Sequence, residues 1–556
     1  DLNASTSYAG VISGTGGLAK TGSGTQTLTG ANSYTGTTTV NAGTLKAGSD
    51  SAFTGNGQLT TSGGTFDLGG FNAAFTQTNS GAGTITNSVA GVKTLDIGIV
   101  SGTLANLITG DTALRVTNPN GVFNLSNTSN TFTGGITLAG GTGSGTRMLL
   151  NSASYFASMG SGAITIGESA TDRAGIYIAA GNNTLSNDII FNTVLGTDRP
   201  GIRLDTTNVT LSGDVTANLS DALFSTNGTG SVNLTGQVTG TNGLTLDNTY
   251  GSSITVTLNN ANENNDYAGD TTIAGTKGTL VLGRSNQIAN GAGKGDLVNN
   301  GTLNMNGFSD TINGLSGSGT IDGVSGTSTL TLGDGDADGN TFSGVIKNTA
   351  GTLSLTKTGS GTQTLTGANS YTGATTVDGG TLVLTASSNF YNYASSQFNI
   401  NNGSTLKVGN TLFFQNDTFV FGSTGGGTLE IGAGNNVFRG DNTFTTLGGS
   451  QNTITGTYLN SDGGGTRTFN VSNGTDDVDL LISAQITNNA SIAKTGAGTM
   501  ELSGANTYTG GTTVSAGTLR LVNSASGDAI RGAGHNYAVA SGATLEFNRT
   551  AGIENI

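Results

Sequence analysis

The sequence predicts an all-β fold, a parallel β-helix (β-solenoid) wound as a single elongated rod. Three observations carry this. Long strings recur along the chain with no break in composition between them. Short stretches alternate apolar and polar residues between clusters of Gly, Asn, Asp and Ser. Among 556 residues there are 95 Gly but only 2 Pro, Pro119 and Pro200.

The repeats come first because a fixed internal period decides the architecture. Residues 20–36 read KTGSGTQTLTGANSYTG, and residues 357–373 match them at all 17 positions. A third copy, 494–510, reads KTGAGTMELSGANTYTG. The three continue as TTTVNAGTLKA, ATTVDGGTLVL and GTTVSAGTLRL. Weaker copies are SNTFTGGITLAGGT around Phe132 and NNDYAGDTTIAGTKGTLVL around Tyr267. The aromatics of the five copies, Tyr34, Phe132, Tyr267, Tyr371 and Tyr508, are spaced alternately short and long. A larger unit follows from this: GTFDLGGF at 64–71 matches GTLNMNGF at 301–308. The chain therefore divides into internal units of approximately 1–237, 238–475 and a partial 476–556, all within one continuous solenoid in which each coil contacts only its neighbours.

The strands are read from two-residue alternation, as in Leu382 with Leu384, Leu519 with Leu521 and Leu303 with Met305. Thr and Val dominate them, which suits a half-buried pleated surface. Such short strands with Gly-rich turns do not suit a sandwich. Coiling stacks each strand on its copy one turn away and pairs its N–H and C=O groups there. Gly and Asn supply positive φ at the corners, and Pro would delete a rung hydrogen bond. No segment carries a 3.6-residue period, so helix content is expected to be minimal.

Composition narrows function. With no Cys, disulfide frameworks, thiolate zinc sites and cysteine nucleophiles are excluded. No run of 18 apolar residues exists to span a bilayer as a helix. The opening Asp1-Leu2-Asn3-Ala4-Ser5 is not a signal peptide. Net charge is −14, with 20 basic residues spread thinly, so nucleic acid and anionic membranes are poor partners. The Gly, Ser, Thr and Asn content is compatible with disorder, but 34% of the chain is hydrophobic and those residues recur in fixed places.

The cassette K-T-G-x-G-T-x-x-L-[ST]-G-A-N-[ST]-Y-T-G-x-T-T-V-x-x-G-T-L resembles the passenger-associated transport repeat of autotransporters, secreted proteins of Gram-negative bacteria. Residues 20–45, 357–382 and 494–519 carry it closely; 6–22, 300–321 and 331–348 are also similar to that family. The resemblance implies a right-handed parallel β-helix, exported through an outer-membrane barrel and displayed or shed outside the cell. A chain without Cys fits passage through a pore unfolded. The family's translocator barrel is not in this sequence, which implies a processed passenger or export by another route.

Candidate chemistry is sparse. Asp334, Asp336 and Asp338, in DGDADG, place carboxylates at alternate positions as a calcium loop does, and Ca²⁺ is the one cofactor the sequence suggests; the twelfth position is Val345 rather than Glu, so the EF-hand pattern fails. An acidic, solvated turn is the plainer reading. His535, the sole histidine, aligns with Lys294 of the sister unit and reads as a coil residue. Arg439-Gly440-Asp441 is an RGD tripeptide, a candidate integrin ligand, though the sister segment Arg203-Leu204-Asp205 points to drift. Asp476, Asp477 and Asp479 resemble the paired acids of glycan-cleaving enzymes, but the basic and aromatic parts of such a groove are missing. The recurrent tyrosines are expected to pack at coil corners, with a sugar-stacking face as the alternative. Asn32, Asn369 and Asn506 are expected to form turn hydrogen bonds.

The expectation is therefore a non-catalytic extracellular rod at the bacterial surface, a stalk, adhesin scaffold or fibre. A self-assembling filament or surface layer is the first alternative and a polysaccharide lyase or hydrolase the second. Further copies of itself and cell-surface or extracellular glycans are the expected partners.

Overall fold

The computed structural model describes residues 3–549 apart from 80, 99–101, 118–120, 141–145, 170–171, 194–200, 248–251, 263–264, 336–338, 386–395, 410–411, 435, 462–463 and 524–535. Pro119, Pro200 and His535 lie outside the described residues. Two compact units divide between Leu280 and Val281. Among the described residues every strand pairing is parallel and the only α-helix is the four-residue Ala153–Phe156. Both units are β-solenoids, as the repeats predicted.

In the first unit a six-stranded sheet runs from Thr6–Tyr8 to Leu107–Gly110, and a twelve-stranded sheet from Leu18–Lys20 to Asp266–Tyr267. Further sheets start at Gly102–Leu104 and Asn183–Leu185. The strands of one coil fall in different sheets, so a residue's sheet neighbour is one turn away in sequence. Leu45 pairs with Phe66, Phe66 with Ile85 and Ile85 with Ile108, a buried column through four coils.

In the second unit an eleven-stranded sheet runs from Asp310–Ile312 to Tyr537–Val539, a ten-stranded sheet from Asn340–Phe342 to Thr544–Arg549, and a four-stranded sheet from Phe413–Gln415 to Gln485–Thr487. Leu382, Leu406, Leu429 and Ile454 form its equivalent aliphatic column. A second column is aromatic. Phe398, Phe419, Phe444 and Phe469 are in register, with successive ring centroids 5.0, 5.0 and 4.9 Å apart and planes within 14° of parallel. Phe414 stacks on Phe438 beside them at 4.9 Å. Each such ring contact adds about 0.5–1.5 kcal/mol to the area it buries.

The corners follow the predicted chemistry. Of the seven non-glycine residues at positive φ among the described residues, six are Asn: Asn182, Asn286, Asn306, Asn402, Asn416 and Asn488; the seventh is Thr206. Asn tolerates this region because its short side chain bonds locally to the backbone.

Candidate functional site

The strong repeats build one arrangement three times. Each tyrosine ring is buried, and its hydroxyl meets the threonine hydroxyl four residues on: Tyr34 with Thr38 at 2.7 Å, Tyr371 with Thr375 at 2.7 Å, Tyr508 with Thr512 at 2.8 Å. The weaker copy at Tyr267 keeps the bond, to Thr271 at 2.6 Å. Phe132 has no hydroxyl, and the residue four on is Ile136, equally buried. Burial pushes the phenols of Tyr34, Tyr371 and Tyr508 up to about 12. All four tyrosines are at most 4% exposed, which closes the sugar-stacking alternative for them.

Two residues before each aromatic, an asparagine ties adjacent coils. The side-chain oxygens of Asn32, Asn130, Asn369 and Asn506 each accept a backbone N–H from the preceding coil at 2.8 Å, from Ile12, Ile108, Ile346 and Ile486. Asn265 does the same for Val238 at 2.8 Å. Asn32 and Asn130 also donate forward, to Ala52 at 3.1 Å and Ser158 at 2.9 Å. These side chains reach 20 to 28 residues along the sequence, one turn of the coil.

The sequence reading missed a third feature. Lys20, Lys357 and Lys494 are buried. Lys20 Nζ donates to the carbonyls of Thr21, Gly22 and Ala42 at 2.8, 2.7 and 3.2 Å. Lys494 Nζ donates to Thr495, Gly496 and Ala516 at 2.9, 2.8 and 3.1 Å. Lys357 Nζ donates to Thr358, and to Gly359 and Gly379 at 3.2 and 3.4 Å. Burial lowers the Lys494 ammonium to about 8, against the opposing charge of Asp479. The signal was in the alternation: Lys357 is in phase with Leu353 and Leu355, Lys494 with Ile492, so both point inward. Other buried ionisable groups were also passed over, Arg467, Asp310 and Asp417 among them. Arg467 is wholly buried, donates to the carbonyls of Phe438 and Gly440, and is lowered to about 10 by that burial. Burial raises Asp310 and Asp417 to about 7, against the backbone N–H groups they accept.

Of the calcium candidates, Asp334 is half-buried in a turn, and Asp336 and Asp338 lie outside the described residues. Among the described residues no three His, Cys, Asp or Glu side chains group as metal ligands. The acid cluster is divided among separate partners. Asp476 accepts the Gln451 N–H at 2.6 Å. Asp477 pairs with Arg520 at 2.7 Å, which holds its carboxyl below the usual range. Asp479 is buried and accepts the N–H groups of Gly474 and Thr499 at 2.6 and 2.7 Å. The RGD tripeptide is built into the coil. Arg439 lies over the Phe413 ring at 5.1 Å, and the Asp441 carboxylate accepts the Thr466 N–H at 2.8 Å. Gly440 sits at φ +65°, where a Cβ would lie 2.1 Å from the Asn416 side-chain oxygen.

One surface of the second unit is continuous in character. On the outer side of its eleven-stranded sheet two columns run through eight coils. One is Thr331, Thr356, Thr376, Asn399, Val420, Thr445, Asn470 and Thr495; the other is Thr329, Ser354, Ala374, Gln397, Thr418, Thr443, Thr468 and Ala493. All sixteen are half-buried or exposed and none is charged. The adjoining ten-stranded sheet instead carries ion pairs, Lys407 with Glu430 at 2.6 Å and Arg520 with Glu546 at 3.1 Å. Strand geometry spaces the side chains about 4.8 Å across coils and about 6.6 Å along a strand.

The family model of the passenger-associated-transport-repeat matches residues 18–47, 355–384 and 492–521. This chain carries passenger-associated transport repeats. Each match contains the lysine, asparagine, tyrosine and threonine described above, which bond partly within a coil and partly to its neighbours. The copies around Phe132 and Tyr267 lie outside the matched segments. The chain is also similar to the Adhesin BmaC autotransporter of Brucella suis biovar 1 (strain 1330), 37% identical over 147 residues. That stretch is 25% of this chain and 4% of the relative, so the chain spans a small part of the relative's length. No solved structure matches. Repeats and relative together support the reading of an autotransporter passenger with these repeats.

Proposed function

We propose that this chain is a non-catalytic passenger solenoid displayed at the surface of a Gram-negative bacterium, serving as stalk and adhesive surface. The observation that carries the reading is the uncharged double column on the second unit, thirteen of whose sixteen residues carry a hydroxyl or an amide. Such a face gives no single strong contact; it offers many equivalent weak ones, whose effect multiplies when a partner spans several coils. Neutral cell-surface or extracellular glycans, which present hydroxyls in a repeating series, are the partner class it suits. The adhesin name of the relative supports the same direction, and so does the engagement of Asp476, Asp477 and Asp479 in separate structural bonds.

The test displays the chain on beads and measures retention on immobilised neutral glycans and on host cells. Replacing Thr356, Thr445 and Thr468 together by Asp is expected to cut retention at least tenfold while the far-ultraviolet spectrum stays β. Unchanged retention would remove this face as the contact surface. Negative-stain images showing ordered polymers of the purified chain would instead favour the filament reading, and product release from a glycan would favour the enzyme.

A further inference from the structure

We propose that the Thr-Gly turn opening each strong repeat is a monovalent-cation cradle, and that the repeat's own lysine is its resident cation. An ammonium has three N–H donors and no acceptor. Lys20 and Lys494 place all three against backbone carbonyls, two from the turn that follows and one from the next coil. The turn glycines hold positive φ, +74° at Gly22, +66° at Gly359 and +75° at Gly496.

The donor set identifies the ligand class. Three neutral carbonyls suit an ammonium-sized monovalent cation, whereas calcium takes six to eight oxygens with carboxylates among them. The weaker copies supply an internal comparison. Val116 and Leu246 occupy the lysine's register position, pairing with Leu138 and Ile273 as Lys20 pairs with Val40. There the following residues are Thr117-Asn118 and Asp247-Asn248, without the Thr-Gly of the lysine copies. Lysine and turn glycine are present together or absent together. A tethered cation makes these coils independent of the ions in the surrounding medium.

The experiment uses the full chain and compares wild type, Lys357→Ala and Lys357→Met by thermal unfolding. Each is measured in ammonium chloride and in tetramethylammonium chloride at equal ionic strength. The wild type is expected to unfold at the same temperature in both. Lys357→Ala, with an emptied cradle, is expected to unfold several degrees lower in tetramethylammonium and to recover part of the loss in ammonium. Lys357→Met, which refills the space with apolar atoms, is expected to lose stability without that recovery. Lys494→Ala is read in the same way as a second site. If neither alanine variant shows ammonium-specific recovery, or neither folds even in ammonium, or Lys357→Met matches the wild type, the cradle is overturned.

Discussion

The hydroxyl of Tyr371 lies 2.7 Å from that of Thr375, inside a wall where both residues are buried. Phe132 and Ile136 hold the corresponding places with no polar atom on either side chain. The position tolerates a polar pair or an apolar pair. Tyr371→Phe leaves the Thr375 hydroxyl without this partner and is expected to destabilise by about 1–3 kcal/mol. Adding Thr375→Val is expected to restore most of the loss, read as the coupling in a denaturant-unfolding cycle. Additive losses would show that the bond itself contributes nothing.

Phe419 stands between Phe398 and Phe444 in the stacked column. Phe419→Ala removes a ring packed between its stacked neighbours and opens a cavity there, and a cost of about 3–5 kcal/mol is expected. Phe419→Leu should cost clearly less. Hydrogen exchange should show the loss concentrated in the strands Gln397–Ile400 and Thr443–Thr446, its neighbours on either side.

The RGD tripeptide is expected to be silent as a soluble ligand site. Its carboxylate accepts the Thr466 N–H and its guanidinium lies over Phe413. A linear RGD peptide should not compete with the chain for host cells, and Gly440→Ala should lower stability through its positive φ without changing an integrin-dependent signal. Competition by the peptide would show that the turn opens.

Burial raises Asp310 and Asp417 to about 7, above the ordinary carboxylate value of 3.8. A carboxyl whose folded value is raised contributes stability that is complete below its unfolded value and is lost as pH rises through the folded one. These two sites are therefore expected to favour pH 5 over pH 8. The midpoint of thermal unfolding should fall across that window, and the double variant Asp310→Asn, Asp417→Asn should flatten the fall. An unchanged slope would assign the dependence to other groups.

Most of the solenoid was legible because its signals are local. The alternation that places Leu382 and Leu384 inward needs only neighbouring residues, and the repeated strings fix where coils recur. Register between coils is not local. Phe398, Phe419, Phe444 and Phe469 are unequally spaced, so no fixed period aligns them, and the aromatic column appears only once strands are paired. Lysine was missed for a different reason. Its charge argued for solvent, although its phase with Leu353 and Leu355 argued for the interior. The acids at 476, 477 and 479 look alike in sequence, yet one accepts a surface N–H, one pairs with Arg520 and one is buried.

The protein contains no Trp, so its ultraviolet absorption is that of 12 Tyr and 21 Phe. The phenols of Tyr34, Tyr371 and Tyr508 resist ionisation up to about 12 because each is sealed within its coil. An alkaline titration followed by tyrosinate absorbance should thus contain a late component that appears only as the coils come apart. The three strong repeats carry their own optical gauge of integrity, readable without a label.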